Sequence, residues 1–180
     1  APMLQTDRTD TGRIIESTQI TQMPLGFNRN FQALLITVPG ASRPFRPHSE
    51  FYNSQESLSS NVNGQSRQVN NVQLEGADNS DNGGSLAFYI PSAEAIDTVS
   101  VATSNYDAEF GRAGGAVTNV TIKSGTNNFG GSLFGFGNTE ATVARNPFTQ
   151  LPPADAKYMQ AGFTFGGPIK PNKLFFFAGF

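Results

Sequence analysis

Two stretches in the C-terminal third alternate so regularly in side-chain size and polarity that they constrain the chain to extended backbone. Gly130-Gly131-Ser132-Leu133-Phe134-Gly135-Phe136-Gly137-Asn138 alternates small with large apolar residues. From residue 158 the pattern returns: Tyr158, Gln160, Gly162, Thr164 and Gly166 fall on one side, Met159, Ala161, Phe163 and Phe165 on the other. Successive side chains of a strand point to opposite faces, so a period of two sorts these residues into two surfaces. Gly167-Pro168-Ile169-Lys170-Pro171-Asn172-Lys173 reads as a turn, and residues 174–180, with their apolar Leu174-Phe175-Phe176-Phe177, begin another strand. Strands joined by a short turn, each with an apolar aromatic face, are what a β-barrel offers to a membrane. Each needs about 9–11 residues to cross.

Composition supports a β-rich reading. Charged residues are 14% of the chain, against about 25% in an ordinary soluble domain. Gly, Asn, Ser, Thr and Gln fill the deficit, with 16 Phe, 4 Tyr and no Trp. Such chains suit strands with tight turns. A net charge of −2 with scattered basic residues argues against nucleic acid and against a polybasic membrane patch. The absence of Cys excludes disulfides, thiolate metal sites and Cys nucleophiles. No apolar run reaches the roughly 20 residues of a transmembrane helix. Residues 1–6 lack the basic start and apolar core of a signal peptide, and both ends read as cuts in a longer polypeptide.

Upstream, the pattern is mixed. Residues 11–23 read as a short helix capped by Thr11, with Ile14, Ile15 and Ile20 on its apolar side and Pro24 and Gly26 as stops. Residues 30–38 read as a second helix or a helix-to-strand passage through Phe31, Leu34, Leu35 and Val38. A long loop covers 40–61. Asn63-Gly64 is a favoured hairpin turn pair, followed by an extended stretch with Val69, Val72 and Leu74, and a second loop at 75–85. Pro91 opens a helical turn at 92–96. Strands follow at 97–103, with Val99 and Val101 inward, and at 116–122, separated by a tight turn at Gly111, Gly114 and Gly115.

Several of these segments carry a resemblance. Ile90-Pro91-Ser92-Ala93-Glu94-Ala95-Ile96-Asp97-Thr98-Val99-Ser100-Val101 resembles the plug signature of TonB-dependent outer-membrane transporters, in which a short helix feeds a strand. Tyr106 to Asn127 is similar to the end-of-plug motif: an aromatic, then Gly111-x-x-Gly114-Gly115, then an alternating strand closing in Lys123-Ser124-Gly125-Thr126. Phe129-Gly130-Gly131-Ser132 resembles the first barrel strand. Met23-Pro24-Leu25-Gly26-Phe27-Asn28-Arg29-Asn30-Phe31, Val62-Asn63-Gly64-Gln65-Ser66-Arg67, Leu74-Glu75-Gly76-Ala77-Asp78-Asn79, Arg145-Asn146-Pro147-Phe148 and Phe165-Gly166-Gly167-Pro168-Ile169 are similar to segments of the Oar-like subgroup. Glu75 stands where Asp is commoner. The matches run from about residue 20 to the end, in the family's order.

The resemblance implies an α+β plug over 1–127, a small mixed sheet with short helices and long loops. It leads into antiparallel transmembrane barrel strands over 128–180. It implies ligand uptake across a Gram-negative outer membrane, with outer-membrane lipid around the barrel. The TonB complex would be recruited through a segment lying before residue 1.

It also places loops 43–52 and 76–85 at the plug apex, where Arg43, Phe45, Arg46, His48, Phe51 and Tyr52 offer stacking and charge, and Asp78, Asn79, Asp81 and Asn82 offer oxygens. Each is also ordinary loop polarity. Glu109 and Arg112, with Gly111, Gly114 and Gly115, are expected at the plug–barrel contact; the bland alternative for the ion pair is a local solvated bridge. Asp78, Ser80 and Asn82 match the opening of a calcium loop, but Tyr89 occupies the place of its closing Glu, so the expectation is no cofactor and no metal. No nucleophile elbow surrounds any Ser, and no enzyme activity is expected. The alternative is a processed β-rich surface element that self-assembles into fibres through its strand edges, or binds surface glycans through Phe45, Phe51 and Tyr52.

Overall fold

The structure is a computed structural model that describes residues 11–23, 25, 29–46, 53, 55–81, 86–110, 113–139, 148 and 158–180. It divides into two compact units, Ala1–Lys123 and Ser124–Phe180.

The first unit is built on a five-stranded mixed sheet. Its strands are β1 (Thr11–Glu16), β2 (Asn71–Leu74), β3 (Ala77–Asp78), β4 (Ile96–Ser104) and β5 (Val117–Ile122), in the order β1-β4-β5-β2-β3. β5 is central, antiparallel to β4 and parallel to β2. Paired along both edges, it buries Val117, Thr118 and Val120, while Asn119, Thr121 and Ile122 are half-buried. β4 alternates as its sequence requires, with Val99 and Val101 in the core. Ile15, Ile20, Phe31, Leu34, Ile96 and Ala116 pack with them.

Residues 11–23 are not one helix. They form β1 followed by the six-residue α1 (Ser17–Gln22). Thr11 caps nothing; it opens the strand, and Ile15 pairs with Val99 while Ile14 faces out. The stiff β-branched pair Ile14-Ile15 favours extended backbone, and pairing with β4 outweighs the weak helical period. Gly12 permits that pairing, because a Cβ there would overlap the Val101 carbonyl. The stops Pro24 and Gly26 lie outside the described residues.

Residues 31–37 form a 3-10 helix whose N-cap Asn30 accepts a hydrogen bond from the Gln32 amide at 2.8 Å. The expected extended stretch at Val69 is instead a 3-10 turn, Arg67–Val69. Asn63-Gly64 makes the anticipated tight turn, with φ of 51° and 77°. The loop expected at 75–85 begins as a second such turn: Glu75 and Gly76, at φ 53° and 78°, join β2 to β3. The helical turn after Pro91 is the 3-10 helix Ala93–Ala95.

The second unit is an antiparallel sheet of β6 (Gly130–Asn138), β7 (Tyr158–Lys170) and β8 (Leu174–Gly179), in that order. The turn expected over 167–173 is shorter: β7 runs through Gly167, Pro168 and Ile169, and only residues 171–173 turn. Pro168 is accommodated where the register to β8 shifts between Pro168 and Lys170, a place where a missing N–H is tolerated. Ser132 pairs with Thr164 and Leu133 with Phe163. These pairs place Leu133 with Met159, Phe163 and Phe165 on one surface, as the sequence period requires.

Candidate functional site

Much of the first unit's surface is loop, and loop backbone must find hydrogen-bond partners. Asparagine side chains supply them. Asn53 clamps Ser57, accepting from its amide and donating to its carbonyl, both at 2.8 Å. Asn70 donates to the Ser60 carbonyl at 2.7 Å and accepts from the Ala116 amide at 3.0 Å. Asn63 donates to the Thr103 carbonyl at 2.9 Å. Asn79 donates to the Tyr89 carbonyl at 2.8 Å and accepts from its amide at 3.0 Å. The uncharged polar composition is therefore structural: each such amide replaces a rung of regular ladder.

This changes how the candidate apical residues read. Asn79 is committed to Tyr89. The Ser80 hydroxyl accepts from the Val72 amide and donates to the Val72 carbonyl, while Asp78 accepts from the Ser80 amide at 3.0 Å in a local turn. Asn82 lies outside the described residues, and Asp81 is half-buried. Among the described residues no cluster of three or more His, Asp or Glu side chains is placed to hold a metal.

In the first loop, Phe45 pairs through its backbone with Ser59 and carries the Arg67 guanidinium over its ring at 5.9 Å. That is cation–π geometry, and Arg67 is absent from the sequence-based candidates. Arg46 approaches Glu56 at 4.0 Å, a partly exposed pair of small energetic value. Arg43 is exposed. His48, Phe51 and Tyr52 lie outside the described residues.

Sequence reasoning also passed over Phe88 and Tyr89. They are 76% and 52% exposed and follow the loop whose polar residues attracted attention. Two adjacent aromatics, two residues beyond an Asn- and Gly-rich loop, are the available signal.

Of the residues expected at the plug–barrel contact, Glu109 is exposed on the 3-10 turn Ala108–Phe110, and Gly111 and Arg112 lie outside the described residues. Gly114 and Gly115 have a clear local reason to be glycine. A Cβ on Gly115 would overlap the Asn70 side-chain oxygen, and one on Gly114 would press Val69 at 3.3 Å. They admit the close approach of residues 69 and 70, whose carbonyl at Val69 accepts from the Gly114 amide at 2.8 Å.

The strongest electrostatic feature is elsewhere. Arg29 donates to Glu94 at 2.5 Å, with side chains only 13% and 9% exposed. Ser92 donates to the other Glu94 oxygen at 2.9 Å, and Lys123 to the Glu94 carbonyl at 2.9 Å. This holds the segment before the 31–37 helix against the turn that launches β4.

One face of the second unit exposes Leu133, Met159, Phe163 and Phe165, while Phe134 lies half-buried on the other. Leu133 is 89% exposed and Met159 is 87% exposed. Phe129, Phe165 and Phe176 cluster with ring centroids 5.7 to 6.5 Å apart. No helix among the described residues is long and apolar enough to cross a membrane; strands with an outward apolar face are the other way to do so.

Comparison with known proteins agrees with both units. Residues 121–180 match the family described as "Outer membrane beta barrel domain". In an alignment of 162 positions that covers 86% of its length, the chain is 30% identical to the TonB-dependent transporter Oar of Myxococcus xanthus, of which it spans 14%. Among solved structures, the outer membrane transporter YddB from Escherichia coli is similar with a TM-score of 0.69 at 18% identity, over 93% of this chain and 25% of that one. The siderophore receptor PirA from Pseudomonas aeruginosa gives 0.59 at 19% identity, over 91% and 26%. The structural likenesses establish a shared fold, a mixed-sheet plug leading into barrel strands. The proteins matched are transporters and receptors.

Proposed function

We propose a role in energised uptake for this chain, which belongs to the TonB-dependent outer-membrane transporters of the Oar-like type and lies in the outer membrane of a Gram-negative bacterium. The first unit acts as the plug that gates the pore, and β6, β7 and β8 open the barrel wall. The observation that carries this is the joining, in one chain, of a water-type core in the first unit to an outward apolar face in the second.

External ligand engages the segments at 41–46, 55–59, 75–81 and 86–89, with Phe45, Phe88 and Tyr89 as the exposed stacking groups and the half-buried Arg67 set over Phe45. The TonB complex acts through a segment N-terminal to Ala1, and the plug rearranges in response. No bond in the ligand is made or broken; the protein is a transporter, not an enzyme. Outer-membrane lipid covers Leu133, Met159, Phe163 and Phe165.

The test is genetic and biochemical together. The full polypeptide should require detergent for extraction from outer membranes. Cells lacking it and cells lacking TonB should share one nutrient-uptake defect that is not additive in the double mutant. Recovery of the native protein as a soluble monomer without detergent would overturn the proposal.

A further inference from the structure

One side chain in the first unit has more partners than packing requires. Gln32, 2% exposed, lies in the first turn of the 31–37 helix. Its side-chain oxygen accepts three hydrogen bonds: from Asn30 Nδ2 at 3.1 Å, from the Leu58 amide at 2.7 Å and from the Ser57 hydroxyl at 3.3 Å. Ser57, fully buried, accepts in turn from the Ala87 amide at 3.0 Å. Asn53 clamps the backbone of Ser57 on both sides. The helix, the first loop and the segment leading to Phe88 and Tyr89 therefore meet at two side chains.

A purely apolar contact would hold these segments without direction. Hydrogen bonds shared through one oxygen and one hydroxyl are directional, and in a low-dielectric interior neighbouring bonds strengthen one another. Removing the shared acceptor leaves several buried donors unsatisfied at once. The 31–37 helix is itself tied to β1 at its far end, where Arg13 donates to the Thr37 carbonyl at 2.8 Å. The hub thus stands between the loops and the N-terminal edge strand of the sheet.

We propose that Gln32 and Ser57 are positioning residues that couple the two apical loops, so that the loop around 53–59 and the segment around 86–89 order and loosen together. Their service to ligand capture rests on the transport reading above; the coupling itself does not. A ligand that engages one loop then finds the other already placed, which lowers the ordering cost of the second contact.

Amide hydrogen exchange on the full-length protein in detergent tests this. Gln32→Leu should speed exchange at both Leu58 and Ala87, on the order of tenfold, while Val99 and Val120 in the sheet keep their protection. Gln32→Glu retains an acceptor oxygen and should restore protection at both sites. Ser57→Ala removes only the second link and should release Ala87 while leaving Leu58 protected. Faster exchange at Leu58 with Ala87 unchanged in Gln32→Leu overturns the coupling, as does failure of Gln32→Glu to restore it. General loosening of the sheet in both Gln32→Leu and Ser57→Ala would reduce the hub to ordinary core structure and also overturns it. The readout uses neither ligand nor TonB, so a negative result leaves the transport proposal standing, and absent TonB-dependent uptake leaves the coupling standing.

Discussion

The two units bury and expose opposite things. In the first, Ile15, Ile20, Ile96, Val99, Val101 and Val120 are shielded almost completely, and buried amides such as Asn30 and Gln32 are hydrogen-bonded. In the second, Leu133, Met159, Phe163 and Phe165 point outward, while Thr164 is buried and shares a 2.7 Å hydrogen bond with Ser132 on the opposite surface. The same period-two rule builds β4 and β7. What differs is the medium: water drives Val99 and Val101 inward, whereas a hydrocarbon surround rewards an apolar exterior. A hydrophobic face in sequence fixes that a surface exists, and the surrounding medium decides whether it is a core or a coat.

The contrast can be broken most severely at the buried ion pair. Arg29→Ala or Glu94→Ala leaves an uncompensated charge in the first unit and should cost about 3–5 kcal/mol. Denaturant titration of the full-length protein, followed by exchange at β4 and β5, should show the loss there while β6 and β7 stay protected. Next comes the outward face. Leu133→Arg should cost about 2–4 kcal/mol if that position lies near the bilayer midplane, read as a lower yield of folded, heat-modifiable protein in outer membranes. The same change in a water-facing sheet would cost almost nothing. Gly115→Ala forces its new methyl against Asn70 and should destabilise the first unit by about 1–3 kcal/mol, measured as a shift in the denaturant midpoint. Smallest is Ser66→Ala, which removes the exposed cap that accepts from the Gln68 amide and should cost about 1 kcal/mol or less, visible as faster exchange at Gln68.

Where sequence and structure agree, the signal was local and strong. Period two in β4, β6 and β7 placed those strands and their faces, and Asn63-Gly64 placed its turn, because left-handed backbone is cheap for that pair. Ordered motif resemblance placed the family. The failures lie where a distant partner decides. Residues 11–16 have a weak helical period, but β4 stands ready to pair with them and wins. Val69 leaves the extended region because Gly114 and Gly115 let residues 69 and 70 approach so closely. Arg67, set over Phe45, and Gln32, set against Ser57, look like ordinary polar residues in sequence; only the tertiary meeting of segments some 22 to 25 positions apart gives them their roles. Phe88 and Tyr89 read as ordinary aromatics in sequence; their exposure follows from the tertiary clamp of Asn79 on the Tyr89 backbone.

The central claim is that β6 and β7 face lipid on one side. It is tested most directly by oxygen and nickel-chelate accessibility of single spin labels along both strands, in the full-length protein reconstituted into lipid bilayers. The 180 residues contain no Cys to interfere. Labels at Leu133→Cys, Phe163→Cys and Phe165→Cys should collide with oxygen and be shielded from the chelate, while Ser132→Cys, Phe134→Cys and Thr164→Cys should not show that lipid signature. Chelate access that is equal at all six positions, with no period of two, would contradict the account.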